Sequence, residues 1–411
     1  MINTRALLAS ALAAAAAFAV ATSVPAQNAP SGPPIKIGLI AEQTGALGFL
    51  GSETVRAAIL VVKQINDGGG LVGRPVELLV RDSKTTVNEA VRQARDLLFT
   101  ENVDFLLHSI NSAECVAVGN VAQQAKKVLF SDCTNDAFTS KDFNHYVFRI
   151  PNATTRTQGF AAADYIKAHL LARGNRYYTI AHDFAFGRNA VAAFKERIKA
   201  VNPAAEFVGE GWPKIDEADY APFITAMDQA KPDVVFFAWA IGIPFWQQAA
   251  PFKPYQKFAM VSSYWSGSDE MQVLPKDAVP SGVILGGFPW YAIKGAENET
   301  FVKEFRAAYQ RAPMTPAYML YISMQALRAA VAKAKSVETE AVIAALEGLQ
   351  YDSVVGPVTI RPFDHQGTTP HWTGTAAWDA ERNMGVLTNI IQLPTSEYLP
   401  SEQELKRLRN P

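Results

Sequence analysis

Few groups of residues in this sequence have the types and spacing that chemistry requires. Gly45, Gly48 and Gly51 form a Gly-x-x-Gly-x-x-Gly run after an apolar segment, a context in which a dinucleotide could bind. Their spacing differs from the Gly-x-Gly-x-x-Gly pattern of such sites, and Asp82 alone gives weak support. An oxidoreductase is therefore the weaker hypothesis for this chain.

The histidines and serines indicate no metal centre and no nucleophilic serine. The six histidines are scattered, and the nearest pair, His365 and His371, lies in a predicted loop without the i, i+4 spacing of a helical metal site. The sequence also lacks the Gly-x-Ser-x-Gly motif that exposes a serine in α/β hydrolases. We therefore expect a protein that is not an enzyme and that uses no cofactor and no metal.

Length and charge narrow the class of protein further. The chain has 411 residues, a net charge of −1 and 49% hydrophobic residues. This length predicts two domains or one large domain, each able to bury a core. Because binding along a nucleic acid needs an excess of lysine and arginine, the near-neutral charge argues against a nucleic-acid partner. The apolar fraction argues against an intrinsically disordered chain.

The first 26 residues have the features of a secretory signal peptide. Arg5 precedes an alanine-rich apolar run at 6–20, and the small residues Val24 and Ala26 follow it. The run is about 15 residues long, short of the ~20 that cross a bilayer, which favours a cleaved leader over a membrane anchor. We expect cleavage after Ala26 and, in a Gram-negative source, a periplasmic protein.

The expected compartment determines how the two cysteines, Cys115 and Cys133, are interpreted. In an oxidising space two cysteines tend to be bonded to each other rather than catalytic or metal-bound. Two free buried thiols are the alternative, and it stays open at this point. A disulfide here would close a short loop and would be worth ~2–4 kcal/mol of stability.

Strands and helices alternate along the chain from residue 35 onward. The apolar run at 35–41 is typical of a buried parallel strand. The apolar residues of the next segment recur at helical spacing: Val55, Ile59, Val62 and Ile65. Further strands are predicted at 76–80, 103–107, 128–131, 177–181, 234–238, 258–261 and 283–285, with one near Phe207. This alternation predicts an α/β protein with parallel sheets covered by helices on both faces.

The order of elements further predicts two similar lobes. The alternating pattern restarts after Pro151, where we place a junction between the lobes. The tail is less regular, because residues 297–347 are mostly helical and residues 354–393 contain only short predicted β segments. It is too short for a third domain, so we expect it to return and complete both lobes.

Several segments closely resemble the leucine/isoleucine/valine-type periplasmic binding proteins. They include Ile35-Lys-Ile-Gly-Leu-Ile-Ala-Glu-Gln-Thr-Gly, Asn66-Asp-Gly-Gly-Gly-Leu-Val-Gly73 and Arg81-Asp82-Ser83, with further similarity at 148–151, 181–187, 232–235 and 355–358. The resemblance implies two Rossmann-like lobes joined by a three-segment hinge, the type I clamshell of this family. It places lobe I at 34–151 and 290–354, and lobe II at 152–289 and 355–411.

The same resemblance implies what the protein does. Members of this family capture a small molecule between the lobes and deliver it to an ABC permease in the inner membrane. We therefore expect a monomeric solute-binding protein with a small organic ligand. A binding protein that docks on a signalling receptor would use the same closure, and the sequence does not separate these two partners.

In lobe I, three loops after strands are expected to contact the ligand. The expected contacts are Phe49, Leu50, Ser112, Cys133, Thr134 and Asn135. The resemblance implies that Ser112 and Asn135 hold a ligand carboxylate and that a backbone carbonyl near Cys133 accepts from an amine. Asn135 stands where the family has threonine, but its amide can still donate. The alternative is that Ser112 and Asn135 only cap helices, a common use of both residue types.

Lobe II differs from the family members that bind amino acids. Those members have a glutamate after the strand that corresponds to 258–261, and here Ser262-Ser263-Tyr264-Trp265 follows it. The expected contacts from this lobe are aromatic: Phe184, Phe186, Trp239, Tyr264 and Trp265. Without a counter-charge for an ammonium group, we hypothesise an aromatic or apolar carboxylate ligand that has no α-amino group.

Other interpretations of lobe II stay open. Some of its aromatic side chains could belong to the core, and branched-chain amino acids or amides are alternative ligands on the same fold. Arg156 and His108 are additional candidates for contacting an anion, although each is better explained as a solvated or structural residue. Cys115 and Cys133 lie on two of the lobe I loops, so a bond between them would stiffen the carboxylate pocket.

Overall fold

The computed structural model describes residues 29–152, 154–263, 267–393 and 395–410. The predicted signal peptide, Tyr264 and Trp265 lie outside the described residues. Within the described segments, no helix combines the length and the apolar character that crossing a bilayer requires.

The first sheet is built from the N-terminal strands and is parallel throughout. Its strands are β1 (Ile35–Ala41), β2 (Val76–Asp82), β3 (Phe105–His108), β4 (Leu129–Ser131) and β5 (Val147–Phe148), in the order β2-β1-β3-β4-β5. The helices between them are α1 (Gly48–Asp67), α2 (Val87–Arg95) and α3 (Cys115–Ala125). This arrangement confirms the α/β alternation predicted from the sequence.

Both faces of this sheet are buried, as the apolar strand sequences require. In β1, Ile37 and Leu39 contribute to one hydrophobic cluster, whereas Ile40 contributes to the cluster on the opposite face. In β3, Leu107 and Leu106 divide in the same way. Successive side chains of a strand point to opposite faces, so a continuous apolar run is what a sheet covered on both sides needs.

The second sheet has seven described strands in the order β14-β13-β10-β9-β8-β6-β7. They are β6 (Arg176–Ala181), β7 (Glu206–Gly211), β8 (Val234–Ala238), β9 (Ala259–Ser262), β10 (Ile284–Gly287), β13 (His371–Asp379) and β14 (Met384–Leu393). Its helices are α4 (Thr155–His169), α5 (Ala185–Val201), α6 (Ala221–Ala230), α7 (Ile243–Ala249) and α8 (Pro254–Lys257). The sheet is parallel from β7 to β10.

The antiparallel edge of the second sheet differs from the expectation of short β segments. Strands β13 and β14 form one long hairpin, and β13 pairs antiparallel with β10. The hairpin covers the edge of β10, which would otherwise present unpaired backbone groups. Because only one face of the hairpin is well buried, its apolar pattern is weaker than that of a central strand.

The remaining elements return to the first sheet. They are α9 (Ala296–Tyr309), α10 (Thr315–Ala334), α11 (Thr339–Leu346), β11 (Gln350–Ser353) and β12 (Gly356–Thr359), and α12 (Glu402–Arg409) ends the chain. Helix α10 packs against α1, and its buried side chains join the core around β1. Val358 and Ile360, which the predicted boundaries assign to lobe II, also pack into this core.

The chain therefore passes between the two sheets three times. The connections run from β5 to α4, from β10 to α9, and from β12 to β13. Two of them lie side by side, because Arg149 pairs with Gln366 in an isolated bridge. Rotation of the lobes about such short segments opens or closes the space between the sheets.

Candidate binding cleft between the lobes

A cavity of about 660 Å³, including its open mouth, lies between the two sheets. The first lobe contributes Leu47, Leu50, Ile110, Ser112, Thr134, Thr315, Pro316 and Met319. The second lobe contributes Phe184, Phe186, Trp239, Ala240, Gly267, Asp269 and Glu270. Most of these residues follow the carboxyl ends of parallel strands, which is where open α/β sheets bind ligands.

Two hydroxyl groups form the polar part of the first wall. Ser112 follows β3 and Thr134 follows β4, and the loops meet because these strands are parallel neighbours. Ser112 Oγ and Thr134 Oγ1 are 2.6 Å apart, and the backbone N–H of Thr134 donates to Ser112 Oγ at 3.3 Å. One O–H group is used between the two side chains, so the other can donate to an acceptor in the cavity.

Asn135 is used differently from the expectation. Its Oδ1 accepts from the backbone N–H of Ala137 at 3.0 Å and caps the short helix Asp136–Thr139, and its Nδ2 donates to the carbonyl of Ser112 at 2.9 Å. Among the described residues, Thr134 rather than Asn135 lines the cavity beside Ser112. Asn135 thus has the capping role that the sequence left open, and it holds the Ser112 loop in place.

Two other expected contacts also have structural partners. The carbonyl of Cys133 accepts a hydrogen bond from Arg149 at 3.2 Å, so it is already engaged by the protein. Phe49 lies beside Arg311, whose guanidinium carbon is 5.8 Å from the ring centre. Leu47, which precedes α1, and Leu50, in its first turn, reach the cavity wall, and Phe49 does not.

The two cysteines form a disulfide, which confirms the prediction. The bond joins the start of α3 to the loop after β4, and both sulfur-bearing residues are buried. It therefore ties together the two loops that carry Ser112 and Thr134. The alternative of two free thiols is excluded for this structure.

Removing this disulfide should lower the stability of the fold. We expect Cys115→Ala/Cys133→Ala to reduce the free energy of unfolding by about 2–4 kcal/mol, because the unfolded chain regains the freedom of the closed loop. Urea denaturation followed by circular dichroism measures this change. A reducing agent should destabilise the wild type and leave the double variant unchanged; equal sensitivity of the two proteins would contradict the prediction.

The second wall is aromatic. Phe184 immediately precedes α5 and Phe186 lies in its first turn, with ring centres 5.8 Å apart. Trp239 follows β8 and packs against Phe245, with ring centres 4.8 Å apart. Phe186 and Trp239 are almost completely buried, whereas Phe184 is partly exposed. Together the three rings provide an apolar surface that faces the hydroxyl pair.

A neutral histidine supports this wall from behind. His182 Nδ1 accepts from the backbone N–H of Ala240 at 3.1 Å, and its Nε2 lies 3.0 Å from the hydroxyl of Tyr220. Burial lowers the pKa of His182 to about 4, so the imidazole is uncharged at neutral pH. Its ring packs against Trp239 and helps to hold that side chain in place.

Two carboxyl groups also line the second wall, where the sequence indicated no obvious counter-charge for an amine. Asp269 accepts hydrogen bonds from the backbone N–H and the hydroxyl of Thr315, at 2.8 and 3.0 Å. It thereby caps α10 from the opposite lobe. Glu270 accepts from the backbone N–H of Gly242. Both acids come several residues after β9, and the signal that could have revealed them was the adjacent pair Asp269-Glu270 in an otherwise aromatic region.

Burial governs the charge of both acids. It raises the pKa of Asp269 to about 7, although the hydrogen bonds from Thr315 oppose the shift. It raises the pKa of Glu270 to about 8, against the hydrogen bond from Gly242, and the charge of Asp269 adds to the shift. At neutral pH Glu270 is therefore mainly a neutral carboxylic acid that can donate a hydrogen bond.

The two additional candidates for contacting an anion lie elsewhere. Arg156 pairs with Glu404 near the C-terminus, with 2.7 Å between Nη1 and Oε1. His108 is buried, and its Nε2 lies 3.2 Å from Glu114 Oε2. Among the described cavity-lining residues, neither is present.

A protein-family model described as periplasmic binding protein matches residues 34–380. The chain belongs to the periplasmic binding protein family. Leu/Ile/Val-binding protein homolog 7 of Brucella abortus is 26% identical to it over 341 residues, which cover 79% of this chain and 84% of the relative. The resemblance stated from the sequence motifs is therefore confirmed.

Solved structures of periplasmic binding proteins share the fold. A substrate-binding protein of an amino acid ABC transporter from Pseudomonas fluorescens has a TM-score of 0.79 and 23% identity, covering 91% of this chain and 98% of its own. A solute-binding protein of an ABC transporter from Rhodopseudomonas palustris, in complex with 3,4-dihydroxybenzoic acid, has a TM-score of 0.77 and 21% identity, covering 87% and 97%. The predicted fold class, two α/β lobes of the type I clamshell, is confirmed.

Proposed function

We propose that this periplasmic binding protein captures a small aromatic carboxylic acid without an α-amino group and delivers it to an ABC permease. The observation that carries the proposal is the hydroxyl pair Ser112–Thr134 facing the rings of Phe184, Phe186 and Trp239 across one cavity. The protein acts in the periplasm as a monomer after loss of residues 1–26, binds without catalysis, and uses no cofactor.

The two walls suit the two ends of such a ligand. A hydroxyl that donates to a carboxylate contributes about 1.5–3 kcal/mol, since hydrogen bonds to charged groups are stronger than neutral ones. An aromatic ring gains ~0.5–1.5 kcal/mol per favourable ring pair beyond the burial of its area. No lysine or arginine belongs to the described part of the cavity wall, so neutral donors, Glu270 among them, must compensate the ligand charge.

Asp269 and Glu270 favour a second candidate, an α-amino acid with an apolar side chain. Ionised carboxylates on the second wall could pair with a ligand ammonium, while the hydroxyl pair holds its carboxylate. The Brucella relative named as a Leu/Ile/Val-binding protein homolog supports this alternative, and the Rhodopseudomonas structure with a dihydroxybenzoate supports the first. Asp269 is already engaged with Thr315, which leaves Glu270 as the main candidate for an ammonium partner.

A ligand screen distinguishes the two candidates. We expect benzoates and cinnamates to raise the melting temperature of the mature chain, and leucine, isoleucine and valine to leave it unchanged. Isothermal titration calorimetry should then give one bound acid per chain for the compounds that stabilise it. Stabilisation by the amino acids, but not by acids that lack the amino group, would overturn the proposal.

The pH dependence of binding provides the second readout of the same experiment. A carboxylate ligand binds best while Asp269 and Glu270 are protonated, so its affinity should fall as the pH rises through about 7 and then about 8. An ammonium ligand needs ionised Glu270, so its affinity should instead rise over that interval. Glu270→Gln is the matched control, because for an acid it should leave only the part of the decrease that Asp269 causes, and it should abolish binding of an amine.

A signalling receptor is the alternative partner, because it could recognise the same closed form. Pull-down of the permease by the ligand-bound protein, and not by the ligand-free protein, is the expected result for a transport function.

A further inference from the structure

A second polar site lies behind the first wall of the cleft. Glu42 directly follows β1, His108 ends β3, and Glu114 immediately precedes α3, so the sheet brings all three to one edge. Glu42 and Glu114 are completely buried and His108 is 1% exposed. One ligand atom from each residue lies within 4.8 Å of the others, and His108 Nε2 is 3.2 Å from Glu114 Oε2.

Hydrogen bonds orient the imidazole toward the centre of this cluster. His108 Nδ1 lies 2.9 Å from the hydroxyl of Ser131, next to it across β3 and β4. If Nδ1 carries the proton and donates it to Ser131, the lone pair of Nε2 faces the carboxylates. A histidine that binds a metal commonly has its other ring nitrogen fixed by such a hydrogen bond.

Each carboxylate is held by one oxygen and presents the other. Glu42 Oε1 accepts from the backbone N–H of Asn111 at 3.1 Å. Glu114 Oε1 accepts from Asn111 Nδ2 at 2.6 Å and from the hydroxyl of Ser83 at 3.2 Å. Glu114 Oε2 faces His108, and Glu42 Oε2 is buried without a hydrogen bond from any described residue. A buried carboxylate oxygen without a donor points to a ligand that supplies positive charge.

The cluster has two carboxylates and a single basic group, His108. The described hydrogen-bond partners of Glu42 and Glu114 include no lysine or arginine. In the metal-free protein a proton on His108 offsets one carboxylate, and a divalent cation that displaces this proton would neutralise both.

We propose that Glu42, His108 and Glu114 bind a divalent transition-metal ion, with Zn²⁺ as the probe. The imidazole nitrogen favours such an ion over Mg²⁺ or Ca²⁺, which prefer oxygen ligands alone. Tetrahedral Zn²⁺ with bonds of about 2.0–2.2 Å separates its ligand atoms by about 3.3–3.6 Å, and His108 Nε2 and Glu114 Oε2, at 3.2 Å, need to move apart only slightly. A water molecule completes the coordination.

The bound ion acts on the ligand cleft through its supporting loop. Asn111 donates to both carboxylates, and Ser112, the next residue, lines the cavity. A metal ion therefore fixes the loop that carries one of the two hydroxyl groups. The organic ligand does not touch the ion, so loss of metal binding and failure of the proposed transport function give different results.

Metal binding is measured on the mature chain. Because the cluster is fully buried, the protein is unfolded with a chelator present, freed of metal, and refolded with or without Zn²⁺. We expect one Zn²⁺ per chain by elemental analysis, together with a higher melting temperature than that of the metal-free protein. Refolding with Co²⁺ should give the visible absorption bands of an ion held by one nitrogen and two carboxylate groups.

Two substitutions and a control identify the ligands. Glu42→Gln and His108→Asn should each weaken Zn²⁺ binding at least about tenfold, consistent with losing one protein ligand. His145→Asn is the matched control, because His145 also pairs with a glutamate, Glu340, but on the surface. It should keep full binding. Absence of bound Zn²⁺ and of Co²⁺ bands in the refolded wild type, or unchanged binding in both variants, would overturn the proposal; the wild-type result stands even if a variant does not fold.

Discussion

Ser112→Ala combined with Thr134→Val should weaken binding of the aromatic acid by about 100-fold. The pair has one O–H group available for the ligand, because the other is used between Ser112 Oγ and Thr134 Oγ1. The double variant removes both hydroxyls, so no O–H remains for the carboxylate at this point of the wall. A hydrogen bond to a charged group is worth about 1.5–3 kcal/mol, and losing it corresponds to a roughly 10- to 150-fold change in the dissociation constant.

The single variants should show that the two hydroxyls act as a unit. In Ser112→Ala the hydroxyl of Thr134 loses its partner and becomes free to donate, and in Thr134→Val the hydroxyl of Ser112 becomes free. Each single change should therefore cost less than half of the free energy lost in the double variant, a non-additivity that a double-mutant cycle measures.

Calorimetric titration with the best aromatic acid gives all three dissociation constants. Thr225→Val is the control, because this threonine lies on an exposed part of α6, where its hydroxyl donates only to the carbonyl of Ala221. It should bind the acid like the wild type. A double variant that binds within about threefold of the wild type would show that the carboxylate is held elsewhere in the cleft.

The sequence predicted the layers of this fold because burial on both faces leaves a strong pattern. The continuous apolar run of β1 and the helical spacing in α1 each have one interpretation, and the structure follows both. The sequence predicted only short β segments where β13 and β14 form a long hairpin, because the hairpin lies at an edge and only part of it is buried. The hydrophobic pattern of a strand or helix is therefore clearer when more of its surface is buried.

The side chains that line the cleft were less predictable, because a loop has no periodic hydrophobic pattern that shows which of its side chains face inward. Thr134 and Asn135 are adjacent and both suit a capping or a binding role, and only the structure shows which one lines the cavity. Asp269 and Glu270 follow a strand by several residues, so their return to the wall depends on the contact with Thr315 across the cleft. The disulfide was predictable because its prediction rested on the oxidising compartment expected for the protein and not on the geometry of the loops.

Arg149→Met should reduce the free energy of unfolding by about 3–5 kcal/mol, because it leaves the buried acceptors of the guanidinium without their charged donor. Arg149 is completely buried where the chain crosses between the lobes. Burial lowers its pKa to about 10, against the charges of Asp136 and Asp364, so the guanidinium is still protonated at neutral pH.

The size of this effect follows from what the guanidinium holds together. Its four described hydrogen bonds go to the carbonyls of Cys133 and Asn135, to Thr139 Oγ1 and to Gln366 Oε1, at 3.2, 2.7, 2.5 and 2.7 Å. The first two acceptors belong to the loop after β4 and Thr139 to the short helix that follows it, whereas Gln366 belongs to the connection between β12 and β13. One side chain therefore joins the loop that carries Thr134 to a second crossing between the lobes.

Urea unfolding of three variants separates this role from the loss of a charge alone. Arg149→Lys keeps the charge but not the planar arrangement of N–H donors, so it should lose part of the stabilisation. This variant provides the measurement if Arg149→Met does not fold. Arg156→Met is the control, because its ion pair with Glu404 is partly exposed and should contribute no more than about 1 kcal/mol. If Arg149→Met cost no more than that control, the crossing would be held by its backbone pairing and not by the buried guanidinium.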